Sequence, residues 1–290
     1  RQKHSREEFR ALMNKIHVFG ILLQDITFDY MINLDSVQAL ECMNMGEVVS
    51  QYEGERARPR WLLVDGGHFW HYVWSRDPDY IKPMLPGEVN GHGPMSEIYD
   101  HGGEGDSPSF LYLISARLGL NDPLDPTHGS WGSLFRPMGA PFPEGYYSTC
   151  GLDQDHLVRW VEDAKKSFEN RLDYSLKEPD EVNHEPVPVV NGKEGIQIVE
   201  ATVRPGDLLE LDASASRDPD RDKLHYHWYF YPEASSAEVF PELEGSEGAV
   251  VRFQVPENSE AGAMHLILEV EDSGNPSLKA YRRFILNVDP

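Results

Sequence analysis

The richest chemistry in the chain lies at residues 100 to 118, DHGGEGDSPSFLYLISARL. Glu104 and Asp106 stand in a glycine-rich turn that feeds an apolar helix. Asp106 occupies the N-cap position, and Pro108 falls in the first turn, where its missing N–H costs nothing. Phe110, Leu111, Ile114 and Leu118 then recur at helical spacing, predicting a helix over 106 to 118. Gly102, Gly103 and Gly105 free the backbone ahead of Asp106 for conformations that a side chain forbids. An acidic side chain at the mouth of such a loop can hold a hard cation or a sugar hydroxyl. It can equally do no more than cap the helix.

Other residue sets carry chemistry of their own. Gln24 and Asp25 follow the apolar run IHVFGILL, as a functional pair or as polar residues that end a buried strand. GGHFWHYVW at 66 to 74 mixes His68 and His71 with Phe69, Trp70 and Trp74, which suits sugar-face stacking or plain core packing. Trp131 sits beside His128 in the glycine-rich HGSWGS loop, where exposure and sugar contact are expected of both. SRDPDRD at 216 to 222 sets Asp218, Asp220 and Asp222 at alternate positions, and Asp272 can approach from a later strand. Such carboxylates can chelate calcium or bond their own backbone as turn formers.

These residues need elements to position them. Residues 16 to 23 and 60 to 65 (RWLLVD) are apolar runs of strand length, each followed by or ending in an acid. Helical patterns stand near 5 to 13 and 35 to 45, and the best-defined helix runs from about 153 to 173. Its apolar face is Leu157, Trp160, Val161, Ala164, Phe168 and Leu172, with Lys165, Lys166 and Glu169 off it. Strand and helix alternation predicts an α/β domain over 1–175 with a mainly parallel sheet. Ligands of such sheets bind beyond the carboxyl ends of strands, which brings Asp25, Asp65 and the Asp106 loop into consideration. Residues 176–186 combine charge and proline and read as a linker. Beyond it, LLELDAS, LHYHWYFY, VVRFQVP, HLILEVED and YRRFILNV predict an all-β Ig-like sandwich over 187–290, with Trp228 in its core and few contacts back across the linker.

The 290 residues allow two ordinary domains, and no apolar stretch reaches membrane-spanning length. A net charge of −23 excludes the basic footprint that nucleic-acid binding needs. The two cysteines, Cys42 and Cys150, lack metal spacing; a disulfide and two free thiols both fit.

The runs EGDSPSFLYLI and HGSWGSLF resemble the nucleoside-hydrolase-like proteins described as cellulose-binding. The likeness continues in order through HLVRWVEDAKKSFENRLDY, NHEPVPVVNG, SRDPDRDKLHYHWYFYPEA and MHLILEVEDSGNPSLKAYRRFILNV. It implies an extracellular bacterial protein, secreted or periplasmic, with a nucleoside-hydrolase-like domain ahead of an Ig-like one. It also implies a carbohydrate or nucleoside partner, and calcium held by aspartates that acidify a water for attack on a glycosyl bond. Asp106 resembles the late calcium ligand of such enzymes, while Gln24 and Asp25 keep part of a D-Q-D-D turn. The chain departs from the pattern twice. It holds no D-x-D-x-x-x-D-D run, and Gly105 stands where a histidine often assists the leaving base. An N-terminal truncation is therefore expected, with little hydrolysis from residues 1 to 290 alone. The resemblance leaves a glycosyl hydrolase and a non-catalytic carbohydrate binder both open.

Overall fold

A computed structural model of the chain describes residues 19–23, 61–65, 108–137, 146–148, 156, 159–174 and 177–289. The expected helices near 5 to 13 and 35 to 45, GGHFWHYVW and both cysteines lie outside them.

The N-terminal region opens with strands β1 (Phe19–Leu23) and β2 (Trp61–Asp65), which pair in parallel. Their register sets Leu23 opposite Asp65, so the two strands end at the same edge. Helix α1 (Pro108–Arg117) starts at the expected proline. Two short strands follow, β3 (Arg136–Pro137) and β4 (Tyr146–Ser148), giving the sheet order β1-β2-β4-β3. The β2–β4 pairing is parallel and the β3–β4 pairing antiparallel. Helix α2 (Val161–Asp173) has Trp160 as its N-cap; ahead of it His156 is also helical and residues 159 and 160 form a turn, while the rest of the expected start at 153 lies outside the described residues.

The C-terminal region is mostly strand. A two-residue hairpin, β5 (Val189–Val190) with β6 (Lys193–Glu194), precedes two sheets. Strands β7 (Val199–Val203), β12 (Lys279–Val288), β11 (Gly262–Glu271) and β9 (His225–Phe230) form a four-stranded sheet in that order. Strands β8 (Leu208–Asp212) and β10 (Val250–Gln254) form a second, antiparallel pair. One apolar core holds Leu211, Val251 and Phe253 of the small sheet together with Trp228, Leu266, Leu268, Phe284 and Leu286 of the large one. Trp228 is buried there, as its mid-strand position predicts.

Strands β11 and β12 are buried on both faces. Side chains alternate along a strand. The even-numbered Leu266, Leu268, Phe284 and Leu286 therefore fill the core between the sheets, while the odd-numbered Ile267 and Tyr281 join a second core. That second core contains Leu111 and Leu118 of the α1 segment, Trp131 of the loop, and Trp160, Val161 and Ala164 of the α2 segment. The expectation of few contacts across the linker is thus overturned: apolar residues from both sides of it fill one core.

Polar contacts reinforce the junction. Two residues past the end of helix α1 stands Gly119, whose φ of 89° suits a residue without a Cβ. A Cβ at that position would also strike the Tyr281 carbonyl of β12. The adjacent Leu118 carbonyl accepts a 2.7 Å hydrogen bond from the Tyr281 N–H. Strand β7 pairs with β12 only from Phe284 onward, so the strand edge at Tyr281 is free to take this bond. Asp163 of α2 is buried and accepts from the Tyr281 hydroxyl at 2.9 Å. Lys279 lies 3.0 Å from Asp163 and 2.9 Å from Glu269. Burial opposes the Lys279 charge, but the two carboxylates overcome it and hold the ammonium well above its ordinary range. Burial also pushes the Asp163 carboxyl up against the pull of Lys279. We read the pair as charged, because a lysine between two carboxylates keeps its proton at neutral pH.

The linker expectation changes as well. The Asn183 amide donates to Asp272 at 3.0 Å and to the Pro276 carbonyl at 2.9 Å, and the Asn183 carbonyl accepts from Asn170 of α2. Val182 is buried. Lys165, expected off the apolar face of α2, is buried too, with its ammonium 3.1 Å from Glu162, a placement its long apolar stem permits.

Candidate functional site

A half-open cleft of about 550 Å³ lies where α1, the loop after it and the start of the β region meet. Its apolar lining includes Leu113, Leu124 and Ile196, which are 43%, 42% and 50% exposed. Side chains of this size left in water mark a surface that a ligand can cover. Polar groups stand among them: Asn121 and His128 from the loop, Arg117 from α1, and Gln197 and Glu200 from the β region. Clefts at domain junctions with this mixture of apolar wall and placed polar groups are favoured small-molecule sites.

The loop that carries His128 is built locally. Asp125 caps a short 3-10 turn, Pro126–His128, by accepting from the Thr127 N–H at 2.9 Å and the Thr127 hydroxyl at 2.6 Å. Those bonds, with His128 nearby, outweigh burial and hold the Asp125 carboxyl below its ordinary range. His128 Nε2 lies 3.4 Å from Asp125 Oδ2. The His128 ring meets the His265 ring edge-on at 5.3 Å. Behind both lies Arg283, fully buried on β12. Its guanidinium donates to the carbonyls of His128 and Gly129 and, at 3.1 Å, to His265 Nδ1.

Burial, then the Arg283 charge, pushes His128 down to about 4, against the pull of Asp125. Burial, Arg283 and His128 together push His265 down to about 3. Both rings are neutral at physiological pH. His265 Nδ1 accepts from Arg283, so its own proton sits on Nε2. If His128 likewise carries its proton on the nitrogen facing Asp125, its Nδ1 is an acceptor, and that atom is buried without a partner. Burial also lowers Arg283 itself, to about 10, which leaves it charged.

The structure sorts the sequence candidates. His128 lines the cleft. Trp131 does not: it is 1% exposed and offers no face for a sugar, which corrects the expectation of an exposed stacking residue. Its indole stands edge-on to Tyr281 at 6.3 Å and donates to the Tyr281 hydroxyl at 3.1 Å. A glycine-rich loop suggests exposure only until another element packs on it, and here β12 does. Gln24, Asp25, Glu104 and Asp106 lie outside the described residues; β1 ends one residue before Gln24, and α1 begins two after Asp106.

The β-region aspartates are committed to turn bonds. Asp218 accepts from the N–H groups of Asp220 and Asp222, at 2.8 and 3.0 Å. Asp220 faces the His184 ring at 3.0 Å. Asp272 accepts from the Gly274 and Leu278 N–H groups and from Asn183. Among the described residues, no three histidine, cysteine, aspartate or glutamate side chains gather as a metal site. Asp218 Oδ2 makes none of these bonds and is buried without a hydrogen-bond partner.

Sequence reasoning missed Arg283, Tyr281, Gln197 and Glu200. The first two carried one unused signal: YRRFILNV is apolar or long at nearly every position, the mark of a strand covered on both faces.

The described residues thus combine a partly parallel sheet with two helical segments that share a core with a β region. Residues 1–135 match the family described as cellulose-binding Sde182, nucleoside hydrolase-like domain, and residues 208–288 match cellulose-binding protein Sde0182, C-terminal domain. Both regions of the chain thus match models drawn from one cellulose-binding family. A solved nucleoside hydrolase-related hypothetical protein from Saccharophagus degradans, associated with carbohydrate metabolism, is 25% identical with a TM-score of 0.64. The match covers 88% of this chain and 68% of that one. The PKD domain from KIAA 1837 protein (23% identity, 31% of this chain, 80% of that one) and human CDH23 EC21-23 (18% identity, 36% and 34%) reach TM-scores of only 0.24 and 0.27 and bear no weight. No curated protein matches the chain. Among the described residues, no helix is long and apolar enough to cross a membrane.

Proposed function

We propose that this chain is a secreted or periplasmic carbohydrate-binding protein whose oligosaccharide contacts include the junction cleft beside His128. One observation carries the reading: in a family described as cellulose-binding, an amphipathic cleft of about 550 Å³ is walled by both regions and holds exposed aliphatic and hydrogen-bonding side chains together. A pyranose has the same duality, with C–H faces that need apolar contact and hydroxyls that need donors and acceptors. In this reading residues 1–175 are a nucleoside-hydrolase-like domain on a mainly parallel sheet, and residues 187–290 are an Ig-like sandwich closed around Trp228.

Glycosyl hydrolysis is the second reading. Its support is that α1 begins at Pro108, two residues after Asp106, in the ligand-then-helix order the resemblance implies. Calcium belongs to this reading only, at Asp106.

Calorimetric titration of the chain with cello-oligosaccharides and with nucleosides tests both, with hydrolysis followed by sugar release with and without calcium. Binding of the oligosaccharide without turnover supports the first reading. Calcium-dependent release of sugar replaces it with the second. No interaction with any oligosaccharide sinks it.

A further inference from the structure

We infer that Arg283, helped by Tyr281 and Tyr231, is the positioning residue of the His128 loop, so that the β region sets the geometry of a cleft residue carried by the α/β region. The inference rests on the carbohydrate reading for what the loop contacts, and on geometry alone for how it is held.

Tyr281 and Arg283 are two apart on β12 and so share one face. Both point at the loop. Arg282, between them, points the other way and donates to the Gly195 carbonyl. Tyr281 fixes Trp131 through the indole bond, and Arg283 fixes the carbonyls of His128 and Gly129. Tyr231, just after β9, closes the remaining side. Its ring and hydroxyl occupy the space where a Cβ on Gly129 would stand, and Gly129 has a φ of 72°. The Arg283 guanidinium lies 5.4 Å from the Tyr231 ring, a cation–π distance. Three of four consecutive loop residues are thus gripped by side chains from the β region.

The grip is costly. Arg283 is 0% exposed, and among the described residues no carboxylate bonds to it. A buried guanidinium compensated by two carbonyls, an imidazole and a ring face is a poor route to stability. Apolar side chains would fill β12 better, so the arginine is explained by what it holds in place. The same charge faces the two imidazoles. The groups around them are Asp125 and Asp122 from the loop, Arg283 from β12, and Tyr231 and Arg159 beside Arg283. Burial first and the Arg283 charge second keep both histidines neutral against the pull of the aspartates, so His128 serves as a hydrogen-bonding group, not a cation.

The test uses the full chain labelled with 15N-histidine. In the wild-type protein, His128 and His265 should stay neutral from pH 8 to 5, with His265 as the Nε2–H tautomer. Arg283→Gln should raise both midpoints by at least one pH unit and weaken cello-oligosaccharide binding at least tenfold. Arg283→Lys keeps the charge but loses the fork; it should hold the midpoints low and still weaken binding. Arg252→Gln, at an exposed pair with Glu210, should change neither. A merely structural arginine would lower the thermal midpoint and leave the imidazole titrations alone, and that result would overturn the inference. So would wild-type histidines that titrate near pH 6.5, a measurement that needs no variant to fold. If the wild type binds no oligosaccharide, the carbohydrate reading fails by itself and the imidazole titrations still decide the positioning.

Discussion

The Tyr281 hydroxyl accepts from the Trp131 indole at 3.1 Å and donates to Asp163 at 2.9 Å, so one β-strand side chain ties together a loop and a helix of the other region. Tyr281→Phe removes one oxygen and leaves the buried Trp131 indole N–H without its partner, while Asp163 keeps Lys279 but loses one donor. An unmade buried hydrogen bond costs about 1–3 kcal/mol, so urea unfolding of the full chain should show a loss of roughly that size in one cooperative transition. A loss confined to one of two separate transitions would contradict the shared core.

The shared core also governs what a fragment can do. Residues 187–290 alone would expose Tyr231, Ile267 and Tyr281, and would lose the Asp163 partner of Lys279. The fragment is expected to be less stable than the β region in the full chain, with a tendency to associate through the uncovered face. Size-exclusion chromatography with far-UV circular dichroism checks this. A monomeric fragment that melts at the full-chain temperature would show that the junction adds nothing.

Much of this architecture is legible in the residues. The α1 start at Pro108 follows from cap and proline chemistry, and β8 to β12 follow from their turn-bounded apolar runs. Strands β5 and β6 are not legible because each is only two residues long, and β7 because KEGIQIVEATV is polar enough to read as loop until β12 pairs with its Val199–Val203. The junction stayed hidden for a different reason. HLILEV and YRRFILNV lack the alternation of a half-buried strand, which signals a second covered face, but nothing local says what covers it. Trp131 shows the same limit: its loop is glycine-rich, and only the position of Tyr281, 150 residues later, buries it.

Acid should weaken the protein through its buried histidines. His128 and His265 titrate at about 4 and about 3 when folded, against about 6.5 in an unfolded chain. Between those values the unfolded state binds more protons, so stability falls as the pH drops below 6.5 and is unaffected by these groups above it. The slope approaches roughly 1.4 kcal/mol per pH unit for each histidine. Asp163 and Asp272, both raised mainly by burial, act in the opposite direction at the acid end. Urea midpoints measured from pH 8 to 5 should be flat above 7 and decline below 6.5. A flat profile to pH 5 would mean that the two imidazoles are hydrated.

Calcium gives a test of the Asp218 loop. Asp218 Oδ2 is unpartnered, but among the described residues no three candidate ligand side chains gather there, so calcium should find too few oxygens. Thermal unfolding of the full chain in EDTA and then in millimolar calcium should show the same midpoint for the β region. A rise with calcium concentration, abolished by Asp218→Asn, would restore the loop as a cation site.

The cleft itself separates binding from folding. Gln197 and Glu200 line it from the β region on partly exposed positions, so truncating either removes a polar contact without opening a cavity. Surface changes of this kind usually move stability by less than about 0.5 kcal/mol, whereas losing a hydrogen bond to a ligand hydroxyl costs about 0.5–1.5 kcal/mol. Gln197→Ala and Glu200→Ala should therefore each weaken cello-oligosaccharide binding several-fold at an unchanged thermal midpoint. Trp131→Ala should differ from both by lowering the thermal midpoint, since emptying a buried indole site costs about 3–5 kcal/mol of stability. Calorimetric titration beside thermal unfolding of the three variants distinguishes the patterns. If Gln197→Ala and Glu200→Ala bind as the wild type does, the oligosaccharide sits elsewhere and the junction cleft is no part of its site.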